Sequence, residues 1–185
     1  MFYDLTLKIT PQLMKDANGN EKKSLVGHLG THFDVMNKEF PLSYFHLPAI
    51  IFNVYNKEEI DCDDIDFNQI QEGMFVVFAT GFIEKVGYGH KDYFSHHPQL
   101  SKALIEQLIQ RKIAIIGIDS PGIRRGKEHT PMDQYCADRH VFVVENLCHL
   151  DIVLNQKSFQ SCYINTYPVS YSDMTGLPCR VVAEL

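Results

Sequence analysis

No apolar run noted in this sequence approaches the roughly 20 residues that a membrane-spanning helix needs. Pro48 to Phe52 and Lys112 to Ile118 are only strand-sized. Basic charge is scarce too: 17 Lys and Arg stand against 23 Asp and Glu, a formal charge of -6, so no basic surface advertises nucleic acid. The five cysteines (Cys62, Cys136, Cys148, Cys162, Cys179) are odd in number and contain no C-x-x-C pair. That disfavours both a cysteine zinc site and a disulfide scaffold, and it fits a thiol-containing cytoplasmic protein. Acidic Asp4 in the first strand-like run, with no small-residue cleavage site near it, argues against a signal peptide. Tryptophan is absent altogether, and there is neither an internal repeat nor a low-complexity linker.

What remains is an ordinary globular composition, 45% hydrophobic and 22% charged. At 185 residues the chain suits a single domain, 1–185, with a proper core. Phe2 to Ile9 alternates as a strand does, Thr10 to Lys23 with its Asn18-Gly19-Asn20 turn reads as a loop, and Leu25 to Val35 is extended. Ala49 to Val54 is a strand, and the acidic stretch Glu58 to Asp66 is a solvated loop. An alternating pattern follows: strand Met74–Ala79, helix Ser101–Arg111 with Leu104, Leu108 and Ala103 on one face, strand Ile113–Ile118, helix Pro131–Ala137 and strand Val141–Val144. Tyr163–Tyr167 and Arg180–Glu184 close the set. The pattern predicts an α/β or α+β domain around a mixed sheet.

Three buried runs end in polar groups: Thr80-Gly81, Asp119-Ser120 and Glu145-Asn146. Sites in open α/β sheets collect beyond the carboxyl ends of strands. Asp119-Ser120-Pro121-Gly122 also reads simply as a turn, whereas Glu145 at the end of an apolar strand needs a partner to offset its burial. The chemistry-bearing run is Gly27-His28-Leu29-Gly30-Thr31-His32-Phe33-Asp34. Its glycines and β-branched Thr31 disfavour a helix that would pair His28 with His32 at i and i+4. On a strand, His32 and Asp34 share a face because the period is two, and a bend at Gly30 folds His28 over it. Two neutral imidazoles and a carboxylate then converge with positions left open, as a catalytic divalent-metal site requires. The plainer alternative is a half-buried strand whose histidines only hydrogen-bond backbone.

This run resembles the H-x-G-T-H-x-D signature of the cyclase family of metal-dependent hydrolases, which includes kynurenine formamidase and isatin hydrolase. Further likenesses follow in order: Tyr3-Asp4-Leu5-Thr6, Ala79-Thr80-Gly81-Phe82, Tyr93-Phe94 with Pro98 and Leu100, Gly117-Ile118-Asp119-Ser120-Pro121, and Val143-Val144-Glu145-Asn146-Leu147. The resemblance implies a swivelling β/β/α-like α/β domain and a homodimer or higher homo-oligomer acting on a small molecule. It implies that His28, His32 and Asp34 bind one divalent ion, zinc or manganese, with Asp34 bridging to a second ion held by Glu145. The family has a histidine twelve residues before that glutamate, where this chain has Asp133. Asp133 as an oxygen ligand is the favoured reading, with His129 in its place or a weak second site as the others. The family's proton-shuttle histidine corresponds to Lys38, and a proline before it to Met36. Lys38 is therefore the candidate catalytic proton carrier.

The implied activity is hydrolysis of a C–N or C–O acyl bond in a small amide, lactam or lactone. The lack of tryptophan before the histidine run argues against kynurenine specificity. A non-haem iron enzyme and a non-catalytic metal- or ligand-binding protein stay open as alternatives. His90, His96 and His97 fall in a loop that lines a pocket or lies at the surface; His46, His140 and His149 read as structural or exposed. Arg124-Arg125-Gly126-Lys127 reads as a solvated turn, or as an attractor for a carboxylate.

Overall fold

The computed structural model describes residues 1–17, 20 and 26–185. Asn18 and Gly19 of the expected turn, and Leu25 at the start of the extended stretch, lie outside the described residues. Four runs that are apolar at nearly every position become the parallel strands β3 (His46–Asn53), β5 (Phe75–Ala79), β7 (Ile115–Ile118) and β8 (Phe142–Glu145), paired β3–β5–β7–β8. Parallel strands are covered on both faces, so they show no polar alternation. Along β3, Ala49 and Ile51 join one apolar cluster with Val77, Phe142 and Val144. Ile50 and Phe52 join the other with Leu104, Leu108 and Val143.

Antiparallel strands carry the sheet round. β8 pairs with β2 (His32–Asp34), β2 with β10 (Gly176–Glu184), β10 with β9 (Phe159–Pro168), and β9 returns to β3. β1 (Phe2–Asp4) pairs with the far end of β10. The mixed sheet is thus barrel-like, which leaves few strand edges unpaired. Its interior is filled by the cluster that contains Phe33, Phe75, Phe142 and Val181. The second cluster lies on the outside beneath helix α4 (Lys102–Gln110), which starts where Ser101 Oγ accepts from the Leu104 amide. The buried face of α4 is Leu104, Ile105 and Leu108, and Ala103 is exposed instead of lying with them. The helical period itself explains this, because Ile105 lies three residues before Leu108 on the same face, whereas Ala103 is five residues from it and points away.

Several other elements depart from expectation. Pro11–Ala17 is a helix, α1, where a loop was expected; proline at the first helical position pre-sets φ there. Helices α2 (Phe82–Val86), α3 (Lys91–Ser95) and α6 (Leu150–Leu154) have too few turns to show a period. Helix α5 (His129–Ala137) begins ahead of Pro131. Within the acidic stretch, β4 (Glu59–Ile60) pairs with β6 (Gln99–Leu100) and Ile60 is fully buried, so only the carboxylates of this segment are solvated. Among the described residues no helix is long and apolar enough to cross a membrane.

Gly117 sits at a crowded point inside the barrel. A Cβ there would lie 2.6 Å from Phe75 Cε2 and 2.9 Å from Leu147 Cδ1. Gly117→Ala is expected to destabilise the fold by about 1–3 kcal/mol, as overpacking does, read as a lower urea midpoint with an unchanged slope. An unaltered midpoint would show that the ring of Phe75 yields freely.

Candidate metal centre

β2 is short, but its register decides the site. His32 lies directly opposite Glu145 of β8, and Phe33 points into the barrel interior. The strand period then sends His32 and Asp34 together to the outer face. There α5 presents His129 and Asp133, one helical turn apart. His129 Nε2 lies 2.8 Å from Glu145 Oε1 and 3.2 Å from Asp133 Oδ2. The backbone before β2 folds back through Gly27 (φ 84°) and Gly30 (φ 71°). This brings His28 Nδ1 to 3.0 Å from Asp34 Oδ1 and 3.1 Å from His32 Nε2. Gly27 passes so close to the start of β10 that a Cβ would meet the Gly176 carbonyl oxygen at 1.9 Å. Only glycine satisfies both that contact and the left-handed backbone.

The hydrogen bonds show which atoms remain to bind something. The Gly30 carbonyl, an acceptor only, lies 2.8 Å from His32 Nδ1, so that nitrogen donates. His32 Nε2 faces inward, 3.6 Å from Asp34 Oδ1 and 3.5 Å from Glu145 Oε2. His28 Nε2 meets Thr175 Oγ1 at 2.8 Å, leaving Nδ1 turned to the same point. Asp34 Oδ2 and Asp133 Oδ1 are buried with no hydrogen-bond partner, an arrangement that is costly unless a cation answers it. Two donor sets result, His28–His32–Asp34 and Asp34–His129–Asp133–Glu145, each with its ligand atoms within 4.8 Å of one another. They share Asp34. The residues fit two neighbouring divalent cations.

The electrostatics agree. Burial alone would lower the pKa of His32, but the hydrogen bond and charge of Asp34 and the charge of Glu145 push it up to about 9. Burial would raise Asp34, yet His28 and His32 hold it well below the ordinary carboxylate range. Asp133 and Glu145 are driven well above that range by burial and by the charge of Asp34. Without a metal, protons neutralise this cluster; a bound cation would take their place.

The cluster forms the floor of a cavity of about 600 Å³ whose walls include Tyr88, Phe94, Met36, Thr130 and Thr175. The other residues singled out in the sequence fall as follows. His28, His32, Asp34, Asp133 and Glu145 are brought together. His129 joins them beside Asp133 instead of replacing it; its signal in the sequence is the i, i+4 spacing from Asp133 on a helix. Lys38 is not brought to the cluster. The chain turns away at Met36 (φ 58°), and the Lys38 ammonium pairs with Asp138 at 2.7 Å, outside the described lining of the cavity. Lys38→Ala is expected to leave turnover within about twofold and to change stability by under about 1 kcal/mol, as loss of a partly exposed ion pair does. A fall in kcat of about a hundredfold with unchanged metal content would instead make Lys38 a proton carrier.

Asp119 is buried and accepts from the Thr80 amide and hydroxyl and from the Gly81 amide, tying the ends of β5 and β7 together. Burial raises its pKa to about 7 against these donors. Arg124 is not a solvated turn residue: it is buried, and its Nε, Nη1 and Nη2 are engaged by Glu59, Glu128 and the Leu100 carbonyl. His97 is buried as well, with burial pushing its pKa down to about 4, while His46, His90, His96, His140 and His149 are exposed.

A family model named Cyclase, described as "Putative cyclase", matches residues 3–125. Among solved structures the chain is similar to one titled a potential metal-dependent hydrolase with cyclase activity, at 24% identity and TM-score 0.76, covering 99% of this chain and 96% of that one. It is also similar to isatin hydrolase A from Labrenzia aggregata bound to benzyl benzoate, at 18% identity and TM-score 0.75, covering 100% and 93%. Isatin hydrolase A from Ralstonia solanacearum matches at 18% identity and TM-score 0.71, covering 99% and 91%. At these identities the likeness concerns the fold. A search of curated protein sequences returned no match.

Proposed function

The chain belongs to the Cyclase family, and from that premise we propose that it is a metal-dependent hydrolase of a C–N or C–O acyl bond in a small amide, lactam or lactone. The observation that carries this reading is the pair of donor sets sharing Asp34 on the floor of an apolar-walled cavity. His28, His32 and Asp34 would hold one divalent ion, and Asp34, His129, Asp133 and Glu145 the other. Bound there, such ions supply Lewis-acid polarisation of an acyl carbonyl and make water acidic enough to attack near pH ~7.

The chain's own groups do the rest. Tyr88 and Phe94 offer aromatic faces against which a flat substrate packs and from which water is excluded. The Thr130 and Thr175 hydroxyls at the rim can each donate to or accept from a polar substrate edge. His129 is one third exposed, so its imidazole faces the cavity as well as Glu145. Hydrolysis breaks the acyl C–N or C–O bond, adds hydroxyl to carbon and returns a proton to the leaving nitrogen or oxygen.

Zinc and manganese both suit the donors, the imidazole-richer set favouring zinc and the carboxylate-rich set favouring manganese. A homodimer or higher homo-oligomer in the cytoplasm, where five free thiols stay reduced, completes the proposal. The test is to load the protein with Zn²⁺ or Mn²⁺ and offer aryl amides, lactams and lactones. Acid release that stops with chelator and returns with metal is expected. Two bound ions with no hydrolysis across the panel would favour a binding protein, and oxygen consumption with Fe²⁺ would favour an iron enzyme.

A further inference from the structure

We propose that Asn146, itself held by Tyr93, is a positioning residue that fixes the ring orientation and tautomer of His32 through the Gly30 carbonyl that Asn146 and His32 share. The argument begins at that carbonyl. Its oxygen can only accept, so both groups that reach it must donate: His32 Nδ1 at 2.8 Å and Asn146 Nδ2 at 2.9 Å. The Asn146 amide is thereby set one way round, with Oδ1 turned to Tyr93. The Tyr93 hydroxyl donates to Oδ1 at 2.8 Å. Every hydrogen in the chain Tyr93–Asn146–Gly30–His32 is placed by this one acceptor.

Burial makes the arrangement exclusive. Tyr93 is 0% exposed, and Asn146 and His32 are each 2% exposed, so water has little access to any link. Asn146 closes β8 in the left-handed conformation, φ 59°, which asparagine tolerates better than most residues. Its own carbonyl accepts from Thr31 Oγ1 at 2.7 Å, so one residue holds both Gly30 and Thr31, the two residues before His32. Tyr93 is held in turn by the rings of Phe82 and Tyr88, with centroids 5.7 and 5.6 Å away.

His28 lacks such a device. Its Nε2 meets the Thr175 hydroxyl, which can donate or accept, and its ring is 25% exposed. The two imidazoles are therefore held unequally, and the rigid one is His32. The consequence for metal binding rests on the ligand role proposed above for His32; the positioning itself does not.

The experiment uses Tyr93→Phe and Asn146→Asp in the full chain, with Tyr44→Phe as a control phenol elsewhere. Zn²⁺ affinity is measured by chelator competition, and exchange of the His32 Nδ1–H by NMR in metal-free protein. Both variants are expected to weaken Zn²⁺ binding about 10–100-fold, the range for partners of a ligating histidine. Both should also exchange the Nδ1–H at least about tenfold faster, with Tyr44→Phe like wild type. Asn146→Asp serves even where Tyr93→Phe folds poorly, because it keeps the side chain's shape and removes the amide Nδ2 that donates to Gly30. Wild-type affinity together with a wild-type Nδ1–H lifetime in both variants would overturn the proposal. Should wild type bind no Zn²⁺ while the variants still release the Nδ1–H, the metal reading fails and the positioning stands.

Discussion

His32→Ala is expected to lower divalent-metal affinity by more than about 100-fold, beyond the range seen when only an outer partner of a ligand is removed. His32 supplies the nitrogen whose other side is fixed by Gly30, and it faces both Asp34 and Glu145. Its loss takes one of three donors from the first set and opens the boundary to the second. Wild-type protein, purified without chelator, should carry about two ions per chain, and the variant about one, held by the set that lacks His32. The same difference should appear in stability. A ligand present at about 100 times its Kd adds about 2.7 kcal/mol to the folded state, so added metal should raise the melting temperature of wild type more than that of His32→Ala. Equal metal content in the two proteins would remove His32 from the ligand set.

Glu145→Gln is expected to have opposite signs with and without metal. In metal-free protein Glu145 is raised well above its ordinary pKa, so folding takes up a proton there. A carboxyl shifted this way contributes stability below its unfolded pKa and loses it as pH rises through the folded value. His32, raised to about 9, behaves likewise: its contribution is full below its unfolded pKa of about 6.5 and fades as pH climbs through about 9. Asp34 runs the other way, but its contribution is lost only in acid, as pH falls below its ordinary range. Metal-free protein should therefore weaken as pH rises above the ordinary carboxylate range, and further as it climbs from about 6.5 through about 9.

Glutamine has the shape of the protonated glutamate and cannot ionise. Metal-free Glu145→Gln should match wild type near pH 5 and exceed it near pH 8, with a shallower pH slope. With Zn²⁺ or Mn²⁺ present the order should reverse, because the cation loses a charged donor. Urea unfolding at both pH values, with chelator and with metal, reads all four corners. A variant less stable than wild type in chelator at pH 8 would contradict the placement of Glu145 inside a crowded anionic cluster.

Much of this protein follows from residues that are neighbours in sequence. The apolar runs at β3, β5, β7 and β8 are readable because a parallel strand must be buried on both sides, and the Ser101 cap marks the start of α4 by a local hydrogen bond. The strand period alone assigns His32 and Asp34 to one face, and the glycine at position 30 permits the bend that returns His28. These are short-range matters of pleat, cap and φ, and they need no knowledge of the rest of the chain.

Tertiary structure decided everything that depends on which elements meet. Only the register of β2 against β8 sets His32 opposite Glu145, and only the docking of α5 beside them brings in both His129 and Asp133 where the sequence offered them as alternatives. The left-handed turn at Met36 carries Lys38 away to Asp138, and packing draws Arg124 out of solvent into a pair of glutamates. Strand pairing and helix docking are set by burial summed over the whole core, which no single segment encodes, so proximity across the chain appears only once the barrel has closed.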